Sequence, residues 1–272
     1  MKVFLFVICG LLSFNTLFAD EGVGFVFFGD QGHGNKEQFD VAQGVEKFCS
    51  SHDCKFALIL GDNFYDVGVK STTDSQWTSK FEKPYKNLLF PFYAVLGNHD
   101  HLGNIQAQID YSKLQKKWTL PGRYYRFSSG FVDFFGIDSD DYDDKQASWL
   151  ESTMKESTAN WRIVFGHHPI YSSGMHGGSN KMEKALVPLL QNPSDFYFCG
   201  HDHDLEVIER KNIKTVVSGA ASEVRPFASS GKGTLYRASQ LGFSYLFLKD
   251  NYAHLILLNK VGETLFQKTW TK

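Results

Sequence analysis

The chain has 272 residues, of which 42% are hydrophobic and 21% charged, with a formal net charge of −2. That length can bury a substantial core, and the composition is ordinary for a soluble globular protein. The near-neutral balance, with no long basic block, argues against a nucleic-acid partner, so any attraction for an anionic ligand is local.

At the N-terminus, Lys2 precedes an almost unbroken apolar run, Val3–Leu12, and small or polar residues follow up to Ala19. The run is too short to span a membrane. It predicts a secretory signal peptide over residues 1–19, cleaved after Ala19, and a single mature domain over residues 20–272. A buried first strand or an uncleaved anchor is the competing reading, but a better first strand begins at Val23. No later apolar run is long enough to cross a membrane.

Five short apolar runs each close on a glycine and a polar cluster. Val23–Phe28 ends in Gly29-Asp30, Phe56–Leu60 in Gly61-Asp62-Asn63, and Phe92–Leu96 in Gly97-Asn98-His99-Asp100. Arg162–Phe165 ends in Gly166-His167-His168, and Phe196–Cys199 in Gly200-His201-Asp202-His203. Runs of this length, rich in Phe, Ile, Val and Leu, predict buried strands. The segments Lys36–Phe48, Ile105–Lys116, Lys145–Lys155 and Lys181–Leu190 are amphipathic and predict helices. Leu205–Glu209, Ile213–Ser218, Phe243–Leu248, His254–Asn259 and Thr264–Trp270 read as successive strands. The alternation gives an α/β (α+β) class, and the strand-rich last third predicts mixed sheets, such as two stacked ones. Cys49 and Cys54 flank a short polar turn and can pair in an oxidising compartment, while Cys199, in an apolar run, reads as a buried free thiol.

Ligands of α/β sheets bind beyond the carboxyl ends of the strands, so the five clusters are expected to converge. Carboxylate and amide oxygens with imidazole nitrogens suit borderline metals such as Fe, Zn and Mn. The glycine before each cluster is expected to let the backbone turn sharply and let a metal approach. Taken singly, a Gly-Asp dipeptide or one histidine is more often a loop or packing feature. Five such clusters, each after an apolar run, point to a two-metal site.

In this order the clusters resemble the metallophosphoesterase superfamily. Tyr65, three residues after Asp62, narrows the resemblance to purple acid phosphatases, and residues Gly97 to Asn104 look like the small, animal-type tartrate-resistant members. The resemblance runs from Val23 to about Trp270. It implies a four-layer sandwich of two mixed β-sheets flanked by helices. It also implies a dinuclear centre of Fe(III) with Fe(II), Zn or Mn. Asp30, Tyr65 and His203 would bind the ferric ion, Asn98, His167 and His201 the divalent ion, and Asp62 both; His99 and His176 would face substrate. The implied reaction is hydrolysis of phosphate monoesters at acidic pH by metal-activated hydroxide. The substrates would be small molecules or phosphoproteins, and the enzyme a secreted or lysosomal/vacuolar monomer. A hard ferric ion suits the anionic oxygens of Asp30, Asp62 and a Tyr65 phenolate, and two metals can clamp a phosphate.

Other polar residues receive lesser roles. Asp100 is a candidate to orient a neighbour, His168 to pack, His101 to shape the pocket, and Asp202 to orient a ligand or cap a turn. His33, His52 and His254 read as ordinary surface or loop residues. The acidic run Asp138–Asp144 reads as a solvated loop and helix start rather than a calcium loop. Relatives of this type often carry a longer loop there that restrains activity until cut, so no proteolytic activation is expected here. Ser172–Lys181 and Glu223–Gly233 are candidate pocket walls. The competing functions are a phosphodiesterase or nucleotidase on the same metal core, a non-catalytic anchoring scaffold, and secondary redox chemistry of an iron pair. Every expected ligand position is filled, which disfavours the scaffold.

Overall fold

The computed structural model describes residues 22–192 and 195–272. The expected signal segment lies outside them. In chain order the first elements are β1 (Val23–Phe28), α1 (Lys36–Cys49), β2 (Ala57–Ile59), β3 (Phe92–Ala94), α2 (Asn98–His101), α3 (Ile105–Leu114) and β4 (Trp118–Thr119). The middle of the chain forms β5 (Tyr125–Ser129), β6 (Val132–Gly136), α4 (Asp144–Glu156), β7 (Trp161–Phe165), α5 (Asn180–Leu186) and β8 (Asp195–Cys199). The end is all strand: β9 (Leu205–Arg210), β10 (Ile213–Ser218), β11 (Thr234–Ala238), β12 (Gly242–Leu248), β13 (Tyr252–Asn259) and β14 (Thr264–Thr271).

Among the described residues these strands form two seven-stranded sheets, ordered β14-β13-β12-β1-β2-β3-β4 and β11-β9-β10-β8-β7-β6-β5. Both are mixed. β1 to β4 run parallel in the first and β6, β7, β8 and β10 in the second, while the flanking strands pair antiparallel. The inner faces meet through aromatic rings. Phe27 stacks on Phe198 at 4.2 Å, and Phe25 meets Phe134 edge-on at 5.2 Å. This explains the abundance of Phe: a parallel strand covered on both faces needs a continuous apolar run. Val41, Val45 and Phe48 of α1 cover the first sheet from outside, Phe48 lying 5.0 Å from Tyr245. Leu150 and Met154 of α4 with Met182 and Leu186 of α5 cover the second. The result is the expected four-layer sandwich.

The predicted helices form with shifted ends. The fourth stops at Leu186 rather than Leu190, just before Pro188, which has no N–H to continue it. The hairpin β5–β6, the strand β11 and a π-helical turn over Trp77–Glu82 were not foreseen as elements, although Phe131–Phe135 reads as strand-like. Cys49 and Cys54 form a disulfide, and Cys199 is buried and free. No helix among the described residues is long and apolar enough to cross a membrane.

The acidic run requires a correction. Asp143 does cap α4, accepting from Gln146 N at 2.8 Å. Asp138, however, is fully buried rather than solvated, bound by Arg123 Nε at 2.7 Å and His101 Nε2 at 3.0 Å. Those partners come from segments remote in the chain, α2 and the loop before β5, which is why local composition misread it.

Candidate metal centre

Registers bring the strand ends level. Phe28 pairs with Ile59 and Ile59 with Ala94 in one sheet, and Phe165 with Phe198 in the other. The loops beyond these pairs carry Asp30, Asp62, Asn98, His167 and His201 to one edge of the sandwich. The turns are not made as expected. Asp30, Asp62 and His201 themselves adopt left-handed backbone, at φ 59°, 51° and 69°. That conformation is unfavourable for a residue with a Cβ and tends to be retained at functional sites. Of the five preceding glycines only Gly61 shares it, at φ 87°. Gly97 and Gly200 serve close approach instead. A Cβ would lie 2.2 Å from Asp62 Oδ1 at Gly97, and 2.3 Å from Asp30 Oδ2 at Gly200.

The side chains fall into two groups that share Asp62. In the first, Tyr65 Oη lies 2.9 Å from Asp30 Oδ1, 2.8 Å from Asp62 Oδ2 and 3.1 Å from His203 Nε2. In the second, His167 Nε2 lies 3.1 Å from Asn98 Oδ1, 3.2 Å from His201 Nδ1 and 3.4 Å from Asp62 Oδ2. Asp30, Asp62 and His167 are buried, with one ligand atom each within 4.8 Å of one another. All seven residues predicted as metal ligands are therefore brought together.

A hydrogen bond behind His167 and a carboxylate beside His203 leave the other ring nitrogens facing inward. His167 Nδ1 donates to Leu60 O at 2.9 Å, leaving Nε2 to face Asn98 and Asp62. His203 Nδ1 lies 2.9 Å from Glu223 Oε2, leaving Nε2 to face Asp30 and Tyr65. Carboxylates and carbonyls behind ligating imidazoles are the usual means of orienting them.

The electrostatics also suit a cation. Tyr65 has one proton for two carboxylates and an imidazole nitrogen. Burial first, then Asp30 and Asp62, hold its phenol far above the ordinary value. Burial pushes His167 down, but Asp62 and Asp30 outweigh it and hold the ring protonated, at about 10. Burial likewise opposes ionisation of Asp62, yet His167 and the donors from His99 and Tyr65 keep that carboxyl well below its usual range. Burial, then His167, pushes the His201 ring far down, so it is neutral and presents one bare nitrogen. Buried anionic oxygens and imidazole lone pairs at this density are costly without positive charge between them. The donor set thus fits metal ions, which would take the place of the protons on His167 and Tyr65.

The remaining predicted residues can be placed. His99 donates from Nδ1 to Asp66 O at 2.7 Å, and its Nε2 lies 4.0 Å from Asp62 Oδ2. His176 has its ring 4.5 Å from that of His201. Both line a cleft with Asp62, Asn98, His201, His203 and Arg225. His168 is held by Ser139 Oγ at 2.9 Å beside His201, and His101 pairs with Asp138. Asp100 accepts from Gly97 N, Asn63 N and Gln108 Nε2 at 2.9–3.2 Å, tying the second and third strand-end loops together. Burial and Asp62 push its carboxyl up to about 7. Asp202 accepts from His176 N at 2.8 Å and Gly177 N at 3.1 Å, so it caps a turn and shapes the loop that carries His176.

Three neighbours escaped the sequence. His33, read as an ordinary loop residue, stacks on Tyr65 at 4.0 Å and bonds Ser222 Oγ at 2.7 Å. Glu223 and Arg225 reach the site from a segment marked only as a wall. His33 had one available signal, its position three residues after Asp30. Glu223 had none, because its partner lies twenty residues earlier in the chain.

A family model described as Calcineurin-like phosphoesterase matches residues 23–205. The chain is 33% identical over 216 residues to tartrate-resistant acid phosphatase type 5 of Mus musculus, covering 68% of this chain and 66% of that protein. It therefore spans about two thirds of that relative's length. It is 31% identical over 289 residues to purple acid phosphatase 7 of Arabidopsis thaliana, covering 93% of this chain and 88% of that protein. Among solved structures it resembles Plasmodium GAP50, described as the anchor in the inner membrane complex, with a TM-score of 0.84, 27% identity, and coverage of 92% and 89% of the two chains.

Proposed function

The chain belongs to the calcineurin-like phosphoesterase family, with purple acid phosphatases among its relatives, and on that premise we propose that it hydrolyses phosphate monoesters at acidic pH. The observation that carries this reading is the position of Asp62, whose Oδ2 is 2.8 Å from Tyr65 Oη and 3.4 Å from His167 Nε2. One carboxylate thus serves both groups of ligand atoms. Asp30, Tyr65 and His203 would hold a ferric ion, Asn98, His167 and His201 a divalent Fe, Zn or Mn, and Asp62 both. A bound metal pair supplies Lewis acidity toward the phosphoryl oxygens and makes water acidic enough to attack.

The chain's own residues do the rest. His99 is anchored through Nδ1, so Nε2 is its free nitrogen beside Asp62. Protonated, it gives its proton to the ester oxygen as the P–O bond breaks, so that an alcohol leaves. His176, on the opposite loop, helps hold the phosphoryl group.

The test combines metal analysis, a visible spectrum and monoester turnover from pH 4 to 8 on one sample. Two metals per chain, iron among them, with turnover best in acid, supports the reading. Metal-free protein that stays inactive after iron loading would sink it. That result would favour the second reading, a non-catalytic anchor, which draws support from the likeness to the Plasmodium anchor. Residues 1–19 are proposed as a signal peptide that directs residues 20–272 to secretion or a lysosome. N-terminal sequencing of the mature protein checks this, and an intact Met1 end counts against it.

A further inference from the structure

Arg225 lines the cleft together with Asp62, Asn98, His99 and His176, yet it belongs to neither group of ligand atoms. Its Nη1 donates to His176 Nε2 at 2.8 Å, and its Nη2 lies 3.3 Å from Glu223 Oε2. Glu223 in turn sits 2.9 Å from His203 Nδ1. The backbone is fixed as well: Arg225 N donates to His203 O at 3.0 Å, and Ser239 Oγ donates to Arg225 O at 2.7 Å. The side chain is 31% exposed. It is therefore neither a solvated surface arginine nor a buried structural one. It is a positioned cation with donors still open to the cleft.

We propose that Arg225 is a specificity-determining residue that grips the phosphoryl group and favours monoesters over diesters. The inference rests on the phosphoester-hydrolase reading and adds a substrate preference to it. A guanidinium is charged at every working pH and makes its strongest hydrogen bonds to anionic oxygens. Its bond to a ring nitrogen of His176 is weaker than one to an anionic oxygen, so a phosphate oxygen displaces it. A monoester has three terminal oxygens and up to two negative charges; a diester has two and one. Only the monoester has a terminal oxygen to spare for Arg225 while the other two face the part of the cleft where the metal ions would sit. The third oxygen of a diester carries a substituent, which offers the guanidinium no charge.

The test uses metal-loaded full-length protein, with 4-nitrophenyl phosphate and methyl 4-nitrophenyl phosphate as substrates sharing one leaving group. Arg225→Ala should lower kcat/KM for the monoester about 10- to 100-fold, mainly through KM, and for the diester less than about 3-fold. Arg225→Lys, which keeps the charge but loses the fork, should recover part of the monoester loss. Calorimetric binding of inorganic phosphate should weaken in Arg225→Ala by a similar factor, with metal content and thermal stability unchanged. An equal loss on both esters, or unaltered phosphate binding, overturns the proposal. If the wild type turned over neither ester but bound phosphate through Arg225, the hydrolase reading would fall and the phosphate grip would stand.

Discussion

Glu223 Oε2 lies 2.9 Å from His203 Nδ1, on the ring edge opposite the one that faces Asp30 and Tyr65. A carboxylate at that edge attracts the ring's positive end and favours Nε2 as the atom that would face a metal. Glu223→Gln keeps the shape and removes the charge. Metal affinity at the site formed by Asp30, Tyr65 and His203 should fall about 10- to 100-fold, read by competition with a chelator. Unchanged affinity would mean that Glu223 serves only Arg225.

Tyr65 is held in its phenol form by burial and by the carboxylates of Asp30 and Asp62. Only a strongly charged cation at that place can draw its proton away. With iron bound, the protein should show a broad visible absorption band, and Tyr65→Phe should lose the band while retaining iron. A band that survives the substitution would assign the colour elsewhere.

Gly97→Ala tests the close approach of two strand-end loops. Its Cβ would fall 2.2 Å from Asp62 Oδ1 and 2.3 Å from Asp62 N, the second a backbone atom that cannot swing aside. The variant should lose about 1–3 kcal/mol of stability and part of its metal content, measured by thermal denaturation and metal analysis. No change in either would show that the loops part freely.

His101 and Asp138 form a largely buried pair whose worth depends on pH. The bond to Asp138 raises the His101 pKa above 6.5; its contribution is therefore full below that value and fades as pH rises through the raised one. Burial opposes ionisation of Asp138, but His101 and then Arg123 outweigh it and lower its pKa below 3.8; that contribution is full above 3.8 and fades in stronger acid. The stability lost in His101→Gln, about 1 kcal/mol, should therefore be largest between about pH 4 and 6.5 and shrink toward pH 9. A gap independent of pH would assign the loss to packing.

Only residues 137–143 join β6 to α4, and Asp138 and Ser139 within them are buried. A protease needs a longer exposed stretch than this to cut. Limited proteolysis should leave turnover within about 2-fold of the untreated protein, because exposed, weakly bonded loop tips are the usual sites of nicking. A large rise on cleavage there would reveal a restraining loop after all.

The sequence by itself determined the strands that carry the site and the types of the ligand residues. β1 stands as predicted because an apolar run closed by Gly29-Asp30 reads the same locally as in the fold. The seven candidate ligands could be named because the strand-end clusters, in their order, resemble one family's pattern, and the fold brings those residues to one edge. The tertiary structure decided everything that depends on two segments meeting. Asp138 looked solvated until Arg123 and His101 arrived from other parts of the chain. His33 looked incidental until its ring lay on Tyr65, and Glu223 until it reached His203. The left-handed backbones of Asp30, Asp62 and His201 follow from the same cause. Local preference opposes each of them, and only packing between the two sheets makes the strained conformation the stable one.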